Sequence, residues 1–87
     1  MKKIIVFGSK HCPECQPIQE YLKGNNIDFI YLDITENMFY LKTFLKLRDT
    51  REEFAEIKAK GLVGIPCVNV NDGEALYFEK PSIESLV

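Results

Sequence analysis

The chain has 87 residues, 46% of them apolar, and a formal net charge of −2. That length fits one small domain, 1–87, with a real but modest core, and the slightly acidic balance argues against nucleic acid as an obligatory partner. Met1-Lys2-Lys3 and the short apolar run behind it offer too little for a signal-peptide core or a membrane span, and three cysteines fit no secreted disulfide framework, so a cytoplasmic monomer with no membrane partner is expected.

Lys3 to Phe7 reads as a strand, continuous and β-branched as for a strand buried on both faces. Gly8 to His11 turns into a helix over 13–23, with Ile18, Tyr21 and Leu22 at helical spacing, Pro13 at its first position and Gly24 as its stop. Phe29 to Ile34 is a second strand, and strand, helix and strand make a βαβ unit with parallel pairing. Two helical segments follow, about 36–48 and 51–60. Thr35 is the expected N-cap of the first, Met38, Leu41, Phe44 or Leu45 and Arg48 trace one stripe, and Thr50-Arg51-Glu52-Glu53 matches a capping box after a break near Asp49. Cys67 to Val70 alternates as a strand, Asn71-Asp72-Gly73 is a hairpin turn, Ala75 to Phe78 returns, and Pro81-Ser82 opens a short last helix. The expected fold class is therefore α/β, in the order β-α-β-α-β-β-α, with a four-stranded mixed sheet flanked by helices.

Chemistry concentrates in Gly8-Ser9-Lys10-His11-Cys12-Pro13-Glu14-Cys15. Two cysteines one helical turn apart share a face, which brings their sulfurs within bonding reach. Cys12 at a helix N-terminus would meet unpaired N–H groups and the positive end of the macrodipole, a setting that favours a thiolate. A thiolate with a second thiol one turn away is equipped for thiol–disulfide exchange. Pro66 opens a later strand, and proline alone takes a cis peptide at low cost. A cis Ile65–Pro66 bond would turn the backbone of residue 65 outward, where a peptide lying beside the cysteines can pair with it.

Cys12-Pro13-Glu14-Cys15, the element order and Gly64-Ile65-Pro66 together resemble the thioredoxin superfamily. The length and the start directly on a strand are most similar to glutaredoxins, and the resemblance covers essentially the whole chain. It implies a thiol–disulfide oxidoreductase that reduces protein disulfides or glutathione mixed disulfides, with no bound cofactor. Cys12 matches the nucleophile and Cys15 the resolving thiol. Pro66 matches the cis-proline, and Ile65 the residue whose backbone pairs with glutathione or a substrate peptide. Glutathione is the implied co-substrate, disulfide-bearing proteins the implied partners, and glutathione or a reductase the source of electrons. Glu14 stands where glutaredoxins commonly have tyrosine, which disfavours acidic partners, and Ser9 where many carry lysine, with Lys10 one residue nearer. Glu79-Lys80-Pro81-Ser82 replaces the family's glycine pair, leaving Ser82 to cap the last helix and offer N–H groups to a carboxylate.

Each residue also has a plainer reading. Cys12, Cys15 and Cys67, with His11 or an external thiol, could instead hold zinc, copper(I) or an iron–sulfur cluster, making the chain a metal-binding module. Cys67 reads first as a small buried packing residue. His11 and Lys10 are either solvated turn residues or cations supporting the thiolate. Arg48, Arg51, Lys58 and Lys60 read as a solvated helix face, and Phe39, Tyr40, Phe44 and Phe54 as core and helix-packing residues.

Overall fold

Ile4-Ile5-Val6-Phe7 lies at the middle of the sheet, as its unbroken apolar run requires. The computed structural model describes residues 2–87. Strand β1 (Ile4–Gly8) pairs in parallel with β2 (Ile30–Asp33), placing Val6 opposite Tyr31 and Gly8 opposite Asp33. On its other side β1 pairs antiparallel with β3 (Cys67–Val70), Phe7 facing Cys67, and β3 pairs antiparallel with β4 (Ala75–Tyr77). The order is β2-β1-β3-β4, the expected mixed sheet. Asn71, Asp72 and Gly73 take φ values of 49°, 55° and 98°, so the left-handed turn chemistry of that tripeptide closes the β3–β4 hairpin.

Side-chain alternation along the strands divides the core in two. Ile4, Val6, Val68 and Val70 face helix α1 (Cys15–Gly24), which buries Ile18 and Leu22 against them. Phe7 and Cys67 face the other way, toward Phe44 of α2 (Met38–Thr50) and Phe54, which ends a 3₁₀ turn (Glu52–Phe54) leading into α3 (Ala55–Ala59). Phe7, Phe44, Phe54 and Phe78 form a run of tilted and edge-on ring contacts with centroids 4.9–5.7 Å apart. Among the described residues no helix is long and apolar enough to cross a membrane.

Several boundaries differ from the expectation, each for a local reason. Helix α1 starts at Cys15 and not Pro13: Pro17 has no N–H to give the Pro13 carbonyl, and residues 12–14 form a turn closed by Cys15 N–H to Cys12 O at 3.3 Å. The N-cap of α2 is Asn37, whose Oδ1 accepts from the N–H groups of Phe39 and Tyr40, while Thr35 is bound to Asp33. The Thr50 capping box does not form, because its hydroxyl donates back to the Lys46 carbonyl and α2 runs on to Thr50. The break comes at Arg51, which is extended. The last helix is one 3₁₀ turn (Ile83–Ser85) that delivers Leu86 into the core beneath α1. Phe39 is 72% exposed and is not a core residue, since it stands five positions before the buried Phe44, about 140° round the helix from the face that α2 turns to the sheet. Arg48 is not simply solvated: its guanidinium donates to the carbonyls of Leu62 and Val63 and ties α2 to the loop before β3.

Candidate active site

The loop from Gly8 to Cys15 leaves the C-terminal end of β1, the edge where open α/β sheets place their reactive groups. It is tied to the neighbouring end of β2. Asp33 accepts from the N–H of Lys10 at 2.9 Å and of Thr35 at 2.8 Å, and also from the Thr35 hydroxyl. Ser9, itself buried, bonds the Thr35 hydroxyl at 3.0 Å and accepts from the His11 N–H at 3.0 Å. Burial works against the charged form of Asp33. The bonds from Thr35 and Lys10 outweigh it and hold the carboxyl below its ordinary value of 3.8. The folded value is thus the lower one, so this carboxylate stabilises the fold fully above pH 3.8 and loses the contribution as pH falls through the folded value. Asp33→Ala is expected to cost on the order of 2 kcal/mol at neutral pH, by urea unfolding, with the gap to the wild type closing as the medium is acidified below 3.8.

The two cysteines of this loop are unequal. Cys12 is half-buried, and its sulfur lies 3.9 Å from the carbonyl oxygen of Ile65, across a sequence separation of 53 residues. Cys15, the first residue of α1, is wholly buried. Burial pushes its thiol up to about 12, and the hydrogen bond and proximity of Cys12 push the same way. The Ile65–Pro66 peptide is cis, as the sequence led us to expect.

Three clefts meet around Cys12 and Pro13. An apolar groove of about 480 Å³ runs past Cys12 between Ile34, Met38, Leu41, Val63 and Ile65, with His11 at its rim. A polar cleft of about 290 Å³ opens on the other side of Cys12, walled by Lys10, Gln16, Gln19 and Tyr31. A third, of about 330 Å³, lies between Pro13, Pro66, Phe78 and the charged Glu14, Glu79 and Lys80. Lys10, His11, Pro13, Ile65 and Pro66 are thus gathered around the cysteines. Lys10 directs its ammonium to Glu36 at 3.2 Å, an exposed pair of small energetic weight. Ser82 does not join them. It is exposed beside the C-terminal 3₁₀ turn, its hydroxyl paired with Ser85 at 2.6 Å, and lines none of the three clefts.

The three-cysteine metal site is not assembled. Cys67 points to the opposite side of the sheet from α1, among Phe7, Phe44 and Phe54, where burial raises its thiol to about 12. No cluster of three or more His, Cys, Asp or Glu exists among the described residues. The site also contains the Ser9–Asp33–Thr35 tie, the apolar wall of Met38, Leu41 and Val63, and Tyr31, none of them expected from the sequence. An aspartate two residues before a hydroxyl at a strand end is a signal for the first of these. Nothing local marks the others.

Comparison with known proteins agrees with this geometry. The sequence pattern of the glutaredoxin family matches residues 4–75. An uncharacterized protein of Haemophilus influenzae is 33% identical over 76 residues, covering 87% of this chain and 88% of the relative. An uncharacterized glutaredoxin-like 8.6 kDa protein in the rubredoxin operon of Clostridium pasteurianum is 27% identical over 84 residues, covering 97% and 96%. Among solved structures, a thioredoxin-like protein superposes with a TM-score of 0.64 at 26% identity, over 97% of this chain and 94% of that one. A glutaredoxin from Archaeoglobus fulgidus shares the fold, with a TM-score of 0.63 at 23% identity, over 99% and 83%.

Proposed function

Because the chain belongs to the glutaredoxin family, we propose that its thiol oxidoreductase role is the reduction of protein disulfides, with Cys12 as nucleophile and Cys15 as resolving thiol. The observation that carries this reading is the inequality of the two sulfurs: Cys12 borders two open clefts, while Cys15 is buried one turn behind it and held protonated. The Cys12 thiolate attacks a substrate disulfide, one substrate sulfur leaves as a thiolate, and a mixed disulfide forms. Cys15 then attacks the Cys12 sulfur and displaces the second substrate thiolate, leaving a Cys12–Cys15 disulfide. A reductant supplies two electrons and two protons to restore the dithiol. A cytoplasmic, monomeric enzyme acting on disulfide-bearing proteins belongs to the same reading.

The lining of the groove bears on the substrate and on the reductant. Ile34, Met38, Leu41, Val63 and Ile65 suit apolar side chains flanking a substrate cysteine, and the backbone of Ile65 lies alongside for strand-like pairing. Glutathione carries two carboxylates. No Lys or Arg lines this groove, Arg48 is engaged by the Leu62 and Val63 carbonyls, and Lys10 faces Glu36. Within this groove glutathione meets no basic side chain for either carboxylate, and the cations Lys10 and Lys80 stand in the two neighbouring clefts. We expect the oxidised protein to be recharged faster by NADPH and thioredoxin reductase than by glutathione with glutathione reductase, measured as NADPH consumption during insulin reduction. Faster turnover with glutathione would overturn that preference and leave thiol exchange standing. No insulin reduction with either reductant would overturn the function itself.

A further inference from the structure

The resolving step has a difficulty that the two cysteines do not solve between them. Cys15 has no exposed surface, yet its thiol must lose a proton before its sulfur can attack. One side chain reaches that sulfur from outside. Tyr31, on β2, extends its hydroxyl over Gly8 to lie beside the Cys15 sulfur. Gly8 makes this possible. A Cβ at that position would lie 2.5 Å from the Tyr31 hydroxyl and 3.0 Å from the Cys15 sulfur, so hydroxyl and thiol fill the space a side chain would take. Tyr31 is also a wall of the polar cleft, together with Lys10, Gln16 and Gln19. It thus lies next to the buried thiol and borders an open cleft at once.

We propose that Tyr31 is a catalytic residue of the resolving step, carrying the proton of Cys15 to the polar cleft. The proposal rests on the dithiol reading above. In the mixed disulfide, the Cys15 thiol passes its proton to the Tyr31 oxygen while the Tyr31 hydroxyl gives its own proton to solvent in the cleft, so the phenol is neutral before and after. The Cys15 thiolate forms a bond to the Cys12 sulfur, the bond from Cys12 to the substrate sulfur breaks, and the leaving thiolate takes up a proton. Other titratable groups face this pair: Cys12 from the loop and Asp33 from β2, with Lys10 and its partner Glu36 beyond them. Asp33 is engaged elsewhere, its Oδ2 accepting from the Lys10 N–H and its Oδ1 from the N–H and hydroxyl of Thr35.

Tyr31→Phe keeps the ring and removes only the hydroxyl. Rapid mixing with a disulfide peptide, acid quenching and mass spectrometry separate formation of the mixed disulfide from its decay. Formation at Cys12 is expected within about twofold of wild type. Decay is expected to be at least about tenfold slower at neutral pH, the scale of one hydrogen bond to a developing charge. The deficit should narrow in alkaline buffer, where hydroxide can take the proton unaided. Decay at the wild-type rate, or a slowing shared equally by both steps at every pH, would overturn the proposal. Absence of a mixed disulfide in the wild-type protein would instead overturn the dithiol reading on which it stands.

Discussion

Cys12→Ser is expected to reduce disulfide reduction to the uncatalysed rate, while Cys15→Ser still forms the first covalent bond and then holds it. A serine hydroxyl is not ionised at neutral pH and makes no stable bond to sulfur, so the exchange has no first step. Cys67 gives no rescue: it is buried on the opposite side of the sheet and protonated. Cys15→Ser leaves the Cys12 sulfur and its clefts in place but removes the thiol that would release the partner. The trapped species should survive in non-reducing gels and dissociate with dithiothreitol. Insulin turbidity for the first variant and partner trapping for the second check both halves. Wild-type turnover by Cys12→Ser would exclude Cys12 as the nucleophile.

Phe54→Ala is expected to be the most damaging core substitution, at about 3–5 kcal/mol. A chain of this length has roughly 4–13 kcal/mol of stability in all, so the variant should be marginal or unfolded at 37 °C. Phe54 has no exposed surface, and its ring meets Phe44 at 5.7 Å and Phe78 at 4.9 Å, both edge-on. It also underlies Gly64. That residue has φ +102°, and a Cβ there would come within 2.9 Å of the Phe54 ring. Gly64 leads directly to Ile65, whose carbonyl faces Cys12. The loss should therefore register twice, as a lower urea midpoint and as weaker substrate affinity wherever the variant is still folded. Phe54→Leu, which keeps most of the volume, should lose less of both. A Phe54→Ala midpoint within the error of wild type would mean that this ring run is not the structural centre of the second core.

The sequence was most informative where a short pattern has one physical solution. Strand β3 matches the alternation over 67–70, and Asn71-Asp72-Gly73 adopts the left-handed turn its residues favour. Local patterns say least where a residue's partner is distant or where two caps compete. Thr35 and Asn37 are both competent caps, and it is Asp33, committed to the Gly8–Cys15 loop, that claims Thr35 and leaves α2 to Asn37. Pro13 looked like a helix start, but Pro17 four residues later withholds the N–H such a start needs. Within the site, the cysteine pair and the proline opening β3 were legible, because their spacing and backbone preferences are local. The apolar groove was not, since it needs α2, the loop before β3 and the end of β2 brought together. Tyr31 reads as one more aromatic in a strand until Gly8 is seen beside it without a side chain.

Cys67 gives the protein an internal record of its own opening. Its sulfur is sealed beneath Phe44 and Phe54 and protonated at neutral pH, whereas Cys12 is only half-buried and borders two open clefts. An alkylating reagent added to the reduced protein therefore distinguishes two timescales: the first mass increment reports access to the reactive loop, and an increment on Cys67 reports transient separation of the sheet from α2. One chain, with no engineered label, carries both the clock for its chemistry and the clock for its unfolding.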